Sequence, residues 1–403
     1  MPLHIVTVCG PLRMEGVAMK FSRIRSTSLA LVLAGVWIPL GGQAEVIFKQ
    51  SFDDLPEWHS GLEENATWRS PAGLPDRVQY SDIHNIPEGY FAVYQDPSWA
   101  PSLGHPDRHE SIEILDMNAG KARGGTGKSM VNWRDSYDPG WNRFNSDSLM
   151  LVRIGEKEEV YVEFWITLSK EMIESFYENK MGSAKVFRVY SFTGDWAEPF
   201  NYFGGVSHPN FLWGITGGTD YGIRNFVSLY GLDSDGAPEM PTSRIGNGDY
   251  TLSYLTNTEG MGFDGEDVYL EDKVNGGLIT PDRFDTATID QVFGGPGSWT
   301  KVAFYVRMNS SPGVNDGILA QFVDDKRILY SDRVAWTRSD RERSLWNVVG
   351  LGGNDHFNKY PNEEMRENWY AIDDVVIRDS LPNYLSSASE TYPPQPPSNI
   401  SIQ

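Results

Sequence analysis

Apolar and polar residues alternate along several stretches of the chain, and a period of two residues is typical of a β-strand with one buried face. The alternation is strongest in residues 159–167, where valine, phenylalanine and isoleucine fill every second position. The same pattern predicts strands at 46–54, 185–192, 225–230, 299–309, 318–323 and 370–378. Only residues 170–180 have the composition and length of a helix. Strands that follow one another without helices predict an all-β fold of antiparallel sheets, a sandwich or a jelly roll.

Glycine and proline mark where these strands end. Six pairs of adjacent glycines predict turns, at 124–125, 204–205, 217–218, 276–277, 294–295 and 352–353. The first and last predicted strands would lie side by side and close a single domain of residues 45–382. The chain then becomes rich in proline and serine, so residues 383–403 are predicted to be a tail or linker.

Residues 1–44 have the features of a secretory signal peptide behind a short upstream extension. A basic stretch, residues 20–25, precedes an apolar one, residues 29–40, and small residues follow where a signal peptidase would cut. The apolar stretch is too short to cross a bilayer about 30 Å thick as a helix. We therefore expect a secreted or periplasmic protein without a membrane span, whose mature chain begins near Glu45 and lacks Cys9, the single cysteine.

The chain is strongly acidic, with 55 Asp and Glu against 34 Lys and Arg and a net charge of −21. Phosphate contacts need a basic face, so this balance excludes a nucleic-acid partner. One cysteine excludes a disulfide framework, a thiolate zinc cluster and a cysteine-ligated iron–sulfur site. We expect a monomer without an organic cofactor.

The second half of the chain carries a recognisable layout. Residues 299–325 read WTKVAFYVRMNSSPGVNDGILAQFVDD, and the chain continues through VVGLGGND at 348–355 to WYAIDDVV at 369–376. This order of a W-x-x-V strand, an Asp-Gly hairpin, a Gly-Gly loop and a closing I-D-D-V-V strand resembles the concanavalin-A-like jelly rolls. It is most similar to the alginate- and glucuronan-lyase-like polysaccharide lyases, although Gln321 lacks the histidine that follows it in one of their signatures.

The resemblance implies a concanavalin-A-like jelly-roll sandwich of two antiparallel sheets with long loops. It also implies a lyase that cleaves an acidic, uronate-containing polysaccharide by β-elimination. This reaction removes the C5 proton of a uronate whose carboxylate has been neutralised, so it needs hydrogen-bond donors on the carboxylate and a Tyr, His or Lys to move protons. Such residues should stand on one concave sheet face, where every second side chain of a strand points the same way.

The predicted strand 299–309 offers a polar row on one face. Its opposite face is apolar and should pack between the sheets: Val302, Phe304, Val306 and Met308. Tyr305, Arg307 and Asn309 then point away from the core, with Gln321 on the adjacent strand. We expect Arg307, Asn309 and Gln321 to bind the substrate and Tyr305 to move protons.

The strand predicted around Arg188 offers the second group. Arg188 and Tyr190 share one of its faces, whereas strict alternation places Lys185 on the other. Lys185 and Arg188 are expected to bind the substrate, and Tyr190 is a candidate catalytic residue. His208 and His356, two histidines in glycine-rich loops, are further candidates for the catalytic base.

Two other functions stay open, a non-catalytic glycan-binding or adhesion module on the same fold, and a glycoside hydrolase. Paired carboxylates at the spacing of such hydrolases do not occur in the predicted strands. Acidic turns offer a structural calcium site, because Ca²⁺ takes about six to eight oxygen ligands. Asp54 would meet Asp373 and Asp374 if the terminal strands pair, so these three are the predicted calcium ligands.

Overall fold

The computed structural model of the chain describes residues 44–60, 78–80, 86–95, 111–134, 144–196, 207–216, 223–228, 244–245, 249–252, 270–280, 287–358 and 367–386. These residues belong to one unit, Gln43–Gln403. The predicted signal peptide, apart from Ala44, and the tail after Ser386 lie outside the described residues. No helix in the described part of the chain is long and apolar enough to cross a membrane.

Most of the described elements are strands. In chain order they are β1 Val46–Gln50, β2 Trp58–His59, β3 Val78–Tyr80, β4 Ala92–Gln95, β5 Ile112–Ile114, β6 Met130–Trp133, β7 Phe144–Lys157, β8 Glu159–Leu168, β9 Met181–Tyr190, β10 Asn210–Thr216, β11 Ile223–Ser228, β12 Arg244–Ile245, β13 Asp249–Leu252, β14 Leu270–Glu271, β15 Leu278–Ile279, β16 Thr300–Arg307, β17 Gly317–Val323, β18 Lys326–Val334, β19 Trp346–Phe357 and β20 Trp369–Arg378. The helices are α1 Lys170–Tyr177, α2 Ile289–Phe293 and α3 Asn383–Ser386. Each predicted strand overlaps an observed one, and α1 is the predicted helix.

The strands form two large sheets. Sheet A has the order β18-β17-β16-β8-β20-β6-β5-β2, and β1 also pairs with β20. Sheet B has the order β12-β13-β11-β10-β9-β19-β7-β4-β3, and β14 and β15 form a separate pair. The pairings are antiparallel, and Gln50 of β1 lies opposite Val375 of β20, as expected for terminal strands that close the domain. The predicted all-β sandwich of two antiparallel sheets is confirmed.

The hydrophobic core lies between the two sheets. The rings of Phe304 on β16 and Phe187 on β9 stack across it, with centroids 4.6 Å apart and planes 14° apart. Phe304 also contacts Phe164, Phe211 and Trp213. Burying each such side chain contributes about 1.5–3 kcal/mol, which makes this aromatic cluster a main support of the sandwich. The predicted inward face of β16 is confirmed: Val302, Phe304, Val306 and Met308.

Two short helices pack against the sheets, α1 in the middle of the chain and α3 near the end of the described residues. The side chain of Ser169 caps α1 by accepting a hydrogen bond from the backbone N–H of Met172, at 3.1 Å. Leu385 of α3 is buried on the outer face of sheet A, and Leu381 packs beside it. The packed chain therefore continues past residue 382, where the tail was predicted to begin.

The glycine pair at 352–353, predicted as a turn, lies inside β19. This strand runs between β9 and β7 near the middle of sheet B. A Cβ at Gly352 would lie 2.2 Å from the carbonyl oxygen of Ser148, and one at Gly353 would lie 2.6 Å from Cβ of Lys185. The two glycines therefore allow close approach of neighbouring strands at an irregularity in the ladder, and they do not reverse the chain.

Candidate functional site

An irregularity in β9 changes which side chains share its outer face. Trp213 of β10 pairs with Phe187, but the next residue, Gly214, pairs with Lys185. Val186 and Phe187 both lie in the core between the sheets. Two successive inward side chains shift the alternation by one position. Lys185 therefore points outward with Arg188, which corrects the prediction that it lies on the opposite face.

Five side chains of β9 and β19 define the candidate site, called here the β9 face: Lys185, Arg188, Tyr190, Asn354 and His356. The amino group of Lys185 donates a hydrogen bond to Asn354 Oδ1 at 2.5 Å. Arg188 lies opposite Gly350, and His356 lies opposite Ser183. The β9 face thus places two cations, an amide and an imidazole on adjacent strands of one sheet.

Glycines lie beneath two of these side chains, at positions where a Cβ would be in close contact with them. A Cβ at Gly350 would lie 3.0 Å from Cγ of Arg188, and one at Gly182 would lie 3.1 Å from Nδ1 of His356. A larger residue at either position would push against the arginine or the imidazole. The two glycines therefore let the Arg188 and His356 side chains pack directly against the backbone of sheet B.

The β9 face has a polar end and an apolar end. Lys185, Asn354 and His356 are half-buried, and Arg188 is 6% exposed. Tyr190 is fully buried in an apolar cluster that contains Leu149, Leu151, Phe192 and Val348. A ligand on this face would meet the charged and imidazole groups, whereas the Tyr190 ring is enclosed by its neighbours.

A buried ion pair lies directly beneath the polar end. Arg134, which follows β6 in sheet A, and Asp355 of β19 in sheet B are both fully buried. The Arg134 Nε atom is 3.5 Å from Asp355 Oδ2. The guanidinium also donates to the carbonyl of Gly353 at 2.8 Å and to the hydroxyl of Tyr370 at 2.6 Å. These contacts join the two sheets through the core.

The same network reaches the backbone of β9. The Tyr370 hydroxyl donates to the carbonyl oxygen of Lys185 at 3.4 Å. Burial, with a smaller contribution from the Asp355 charge, raises the pKa of Tyr370 to about 12, although Arg134 opposes the shift. The hydroxyl therefore stays protonated at neutral pH. No periodicity in the sequence points to this network, because its members are far apart along the chain and each is a single polar residue.

Tyr305 and Arg307 lie on the other side of the sandwich. Both belong to β16 in sheet A, and Tyr305 is 5% exposed in a cluster with Tyr161 and Phe322 on the outer face. Its hydroxyl donates to the carboxylate of Glu159. Burial, and then that carboxylate, raise its pKa. The core separates both residues from Lys185 and Arg188, so they do not belong to the β9 face.

Asn309 and Gln321 are fully buried, which contradicts their predicted contact with substrate. The amide of Asn309 donates to the carbonyl of Thr337 at 2.9 Å, and its oxygen accepts from the backbone N–H of Thr337 at 2.9 Å. Gln321 lies opposite Phe304 and Leu329, which are core residues, so its side chain points between the sheets. Both amides are structural.

The two candidate histidines lie at opposite ends of β9. His208 precedes Pro209, whose carbonyl accepts from the backbone N–H of Ser191 at 3.0 Å, just beyond Tyr190. His356 pairs with Ser183 near the start of the strand. It therefore lies within β19 and not in a loop. Of the two, only His356 is next to the polar end of the β9 face.

The predicted calcium ligands lie near the junction of β1 and β20. Asp373 accepts from the backbone N–H of Arg123 at 3.0 Å and of Asp374 at 2.8 Å. The carboxylate of Asp374 is 3.2 Å from Arg123 Nε, and Asp54 is exposed. Within the described ranges, no three His, Cys, Asp or Glu side chains meet in a way that would hold a metal ion. Calcium at this position stays a prediction.

Burial, with smaller contributions from the nearby carboxylates of Asp374 and Asp53, raises the pKa of Asp373 to about 6, although two backbone N–H groups oppose the shift. Asp53 in turn accepts from the backbone N–H of Lys128 at 2.9 Å. These carboxylates therefore anchor the segment around residues 116–129 to sheet A through hydrogen bonds that the structure shows directly.

No family model matches the chain, and no curated protein matches its sequence. Several solved structures are similar to it. The endo-β-1,4-glucuronan lyase of the fungus Trichoderma reesei has a TM-score of 0.40 and 12% identity, over 66% of this chain and 86% of that one. Alginate lyase Aly36B has a TM-score of 0.40 and 13% identity, over 82% of this chain and 96% of that one.

The marine PL-14 alginate lyase of Aplysia kurodai gives a TM-score of 0.35 and 8% identity, over 66% of this chain and 86% of that one. The solved structures similar to this chain thus include glucuronan and alginate lyases, the class that the sequence resembles. These likenesses concern the fold alone.

Proposed function

We propose that this chain is a polysaccharide lyase that cleaves an acidic, uronate-containing polysaccharide by β-elimination on the β9 face. The observation that carries the proposal is the irregularity at Val186–Phe187, because it brings Lys185 to the same face as Arg188. Two cations next to Asn354 and His356 supply what the reaction requires, namely carboxylate neutralisation and proton transfer.

Lys185, Arg188 and Asn354 would hold the uronate carboxylate. A half-buried cation interacts more strongly with a carboxylate than a fully solvated one does, because the surrounding dielectric constant is lower. Arg188 can offer paired N–H groups to one carboxylate, and the ammonium of Lys185 adds a point charge. Neutralising the carboxylate makes the adjacent C5 proton acidic enough to be removed.

His356 is the proposed base. A neutral imidazole takes the C5 proton, the electrons of the C5–H bond form the C4–C5 double bond, and the bond between C4 and the glycosidic oxygen breaks. The leaving oxygen then takes a proton from the ammonium of Lys185. No oxidant, water or metal is consumed, so the products are one unsaturated sugar end and one ordinary sugar end. Tyr190 has no role in this step because its ring is enclosed.

The net charge of −21 is compatible with a polyanionic substrate if the cations are concentrated where the substrate binds. Long-range repulsion between exposed charges is screened beyond about 10 Å at 0.1 M salt. Short-range attraction by Lys185 and Arg188 therefore decides binding at moderate ionic strength. Substrate binding should therefore weaken at low salt, where the acidic exterior repels the polymer over longer distances.

The test is to incubate the purified protein with alginate, glucuronan and glycosaminoglycans and to measure the ultraviolet absorbance of an unsaturated uronate. Absorbance that grows with time establishes a lyase and its substrate. New reducing ends without absorbance would establish a glycoside hydrolase instead. Binding without either product would establish a glycan-binding module and overturn the proposed reaction.

Export, a bound calcium ion and a monomeric state are further proposals, and the sequence alone supports them. Residues 1–44 support export through the basic and apolar segments described above. The acidic residues at the β1–β20 junction support calcium. Recovery of the protein from the culture medium or the periplasm, with a mature chain beginning near Glu45, would test the first of these proposals.

A further inference from the structure

A pocket of about 660 Å³ opens at the apolar end of the β9 face. Its walls come from the ends of three neighbouring strands of sheet B and from the loop before β19, and include Arg153, Phe192, Trp196, Glu342 and Asn347. Phe192 also belongs to the cluster that encloses Tyr190. The pocket is thus continuous with the β9 face and distinct from its polar end.

One wall of this pocket presents an arginine held by an aromatic ring. The guanidinium carbon of Arg153 lies 3.9 Å from the centre of the Trp196 ring. Trp196 is itself held edge to face against Phe91 and Phe192, with centroids 5.7 and 4.9 Å away. Stacking of this kind restricts the planar guanidinium to few orientations, so less entropy is lost when it binds a ligand.

Arg153 is exposed, and in the described part of the chain its guanidinium forms no ion pair. That is notable in a chain with 55 acidic residues, two of which, Glu156 and Glu342, line the same pocket. A guanidinium with this planar geometry matches a carboxylate, which it can bind through two parallel N–H groups. Hydroxyl groups next to such a carboxylate can donate to the two glutamates.

We propose that this pocket is a second subsite, in which Arg153 binds the carboxylate of another uronate residue of the same polysaccharide chain. The inference rests on the proposed function and extends it from one bound sugar to a chain that lies across sheet B. Trp196 is a positioning residue, since it acts by holding the guanidinium.

The strand geometry supports a chain running across both sites. Arg153 lies opposite Val348, and Val348 lies opposite Tyr190. Arg153 on β7 therefore lies two strands away from Arg188 on β9, and neighbouring strands are about 4.8 Å apart. Along the strand direction, the two arginines are separated by two residues, or about 7 Å. A polymer can span this distance, whereas one sugar residue cannot reach from the pocket to Lys185.

The experiment is calorimetric titration with disaccharides and hexasaccharides prepared from alginate and from glucuronan. Wild-type protein should bind the hexasaccharide of its substrate at least tenfold more tightly than the disaccharide. Arg153→Ala should bind the hexasaccharide about tenfold more weakly than wild type and bind the disaccharide within twofold of wild type. Trp196→Phe should lie between the two, because a smaller ring still supports the guanidinium.

Arg327→Ala is the matched control, since Arg327 stacks on Tyr330 at 4.4 Å in sheet A, away from the pocket. Equal hexasaccharide affinity for wild type, Arg153→Ala and Arg327→Ala would overturn the second subsite and leave the proposed lyase intact. A selective loss in Arg153→Ala without any unsaturated product would support the subsite and overturn the lyase reaction. If wild type bound neither length from either polymer, both proposals would fail.

Discussion

The outer faces of the two sheets differ in how their polar groups are used, although both carry charged and aromatic side chains. On sheet A, Glu163 accepts hydrogen bonds from the hydroxyls of Tyr161 and Tyr384, at 2.7 and 3.1 Å. Lys301 lies 2.5 Å from Asp325 and 3.9 Å from Glu163. These groups satisfy one another, so a ligand would have to break existing contacts.

Sheet B presents a different arrangement. Its cations, Lys185 and Arg188, stand above or beside glycines, and the amide of Asn354 is the partner that the structure assigns to Lys185. An amide carries no charge, so this hydrogen bond does not cancel the charge of the ammonium as a bond to a carboxylate would. The comparison teaches that alternation alone finds outward polar residues on both sheets, and that the sheets differ in the contacts of those residues, a carboxylate beside Lys301 and an amide beside Lys185.

The largest expected effect is on catalysis, and it tests the comparison directly. His356→Ala and Lys185→Ala should each lower the rate of unsaturated product formation by about 10²- to 10⁴-fold, because each removes a proton-transfer group. Tyr305→Phe and Arg307→Ala on sheet A should leave the rate within about twofold of wild type. Initial rates at saturating polysaccharide, with melting temperatures as a check on folding, provide the measurement.

A reversed result, with sheet A variants inactive and sheet B variants active, would move the site to the other side of the sandwich. Loss of activity in all four variants at unchanged melting temperature would mean that neither face is sufficient by itself. Either outcome contradicts the assignment of the β9 face.

The second prediction concerns the ion pair beneath the β9 face. Arg134→Met leaves the Asp355 carboxylate in the core without its cation, and should lower the free energy of unfolding by about 3–5 kcal/mol. The double variant Arg134→Met with Asp355→Leu should recover much of this loss, since replacing a whole buried ion pair with apolar residues is often neutral. Urea unfolding of the three proteins supplies these values.

The matched control is Lys170→Met, which removes a cation from an exposed pair with Glu174 on α1. Exposed pairs of this kind contribute at most about 0.5 kcal/mol. If Arg134→Met cost no more than Lys170→Met, the buried pair would contribute nothing to holding sheet B over sheet A, and the network would not support the site.

The alternation of apolar and polar residues predicts the direction of side chains correctly on regular strands and wrongly on irregular ones. On β16 it placed Phe304 inward and Tyr305 outward, because the pairing with β8 runs without a shift. On β9 two successive inward residues reversed the predicted side of Lys185. The prediction of a turn at Gly352 was wrong for a different reason. A glycine is needed there because the carbonyl of Ser148 lies too close for a Cβ, and Ser148 belongs to a strand that is distant in sequence.

Gln321 shows the complementary error. The sequence predicts that this polar residue of an apolar strand binds substrate, but its cross-strand partner Phe304 is a core residue, so the side chain points inward. The ion pair of Arg134 and Asp355 was missed for a related reason, since no local pattern marks two charges that meet only through the packing of two sheets. Composition and periodicity therefore predicted the fold and part of the site, whereas its supporting contacts required three-dimensional structure.

The third prediction uses the titration of Asp373 on sheet A. Its pKa is about 6 in the folded protein, against an ordinary value of 3.8. Because the folded state disfavours the charged form, this group favours folding most below pH 4, and its contribution falls as the pH rises to about 6. The free energy of unfolding of wild type should therefore fall by about 1–3 kcal/mol relative to Asp373→Asn between pH 4 and pH 7.

The same two proteins can be compared with and without calcium, to test the predicted metal site. A bound Ca²⁺ would neutralise the carboxylates of Asp373 and Asp374, so millimolar calcium at pH 7 should raise the melting temperature of wild type and leave that of Asp373→Asn unchanged. No shift in wild type would contradict the predicted calcium site while leaving the pH dependence standing. Lyase activity should follow neither change, because these carboxylates belong to sheet A.

The smallest predicted effect is a gain in stability at Gln321. Both polar atoms of its side chain are buried without a hydrogen-bond partner in the described residues. A buried amide that has left water without gaining partners is unfavourable, and replacing it with an apolar side chain of similar length removes that cost. Gln321→Met should therefore raise the free energy of unfolding by about 1 kcal/mol in urea titrations, with lyase activity unchanged.

Asn309 supplies the matched control, since it is equally buried on the same side of the molecule but its amide is hydrogen-bonded to Thr337 and Ser311. Asn309→Leu should lower the free energy of unfolding by about 1–3 kcal/mol, because it leaves the backbone groups of those neighbours unsatisfied. If Gln321→Met also destabilised the protein, a buried water would be satisfying the glutamine. Opposite signs for the two substitutions would show that sheet A tolerates apolar replacement only where a buried polar side chain lacks a hydrogen-bond partner in the described residues.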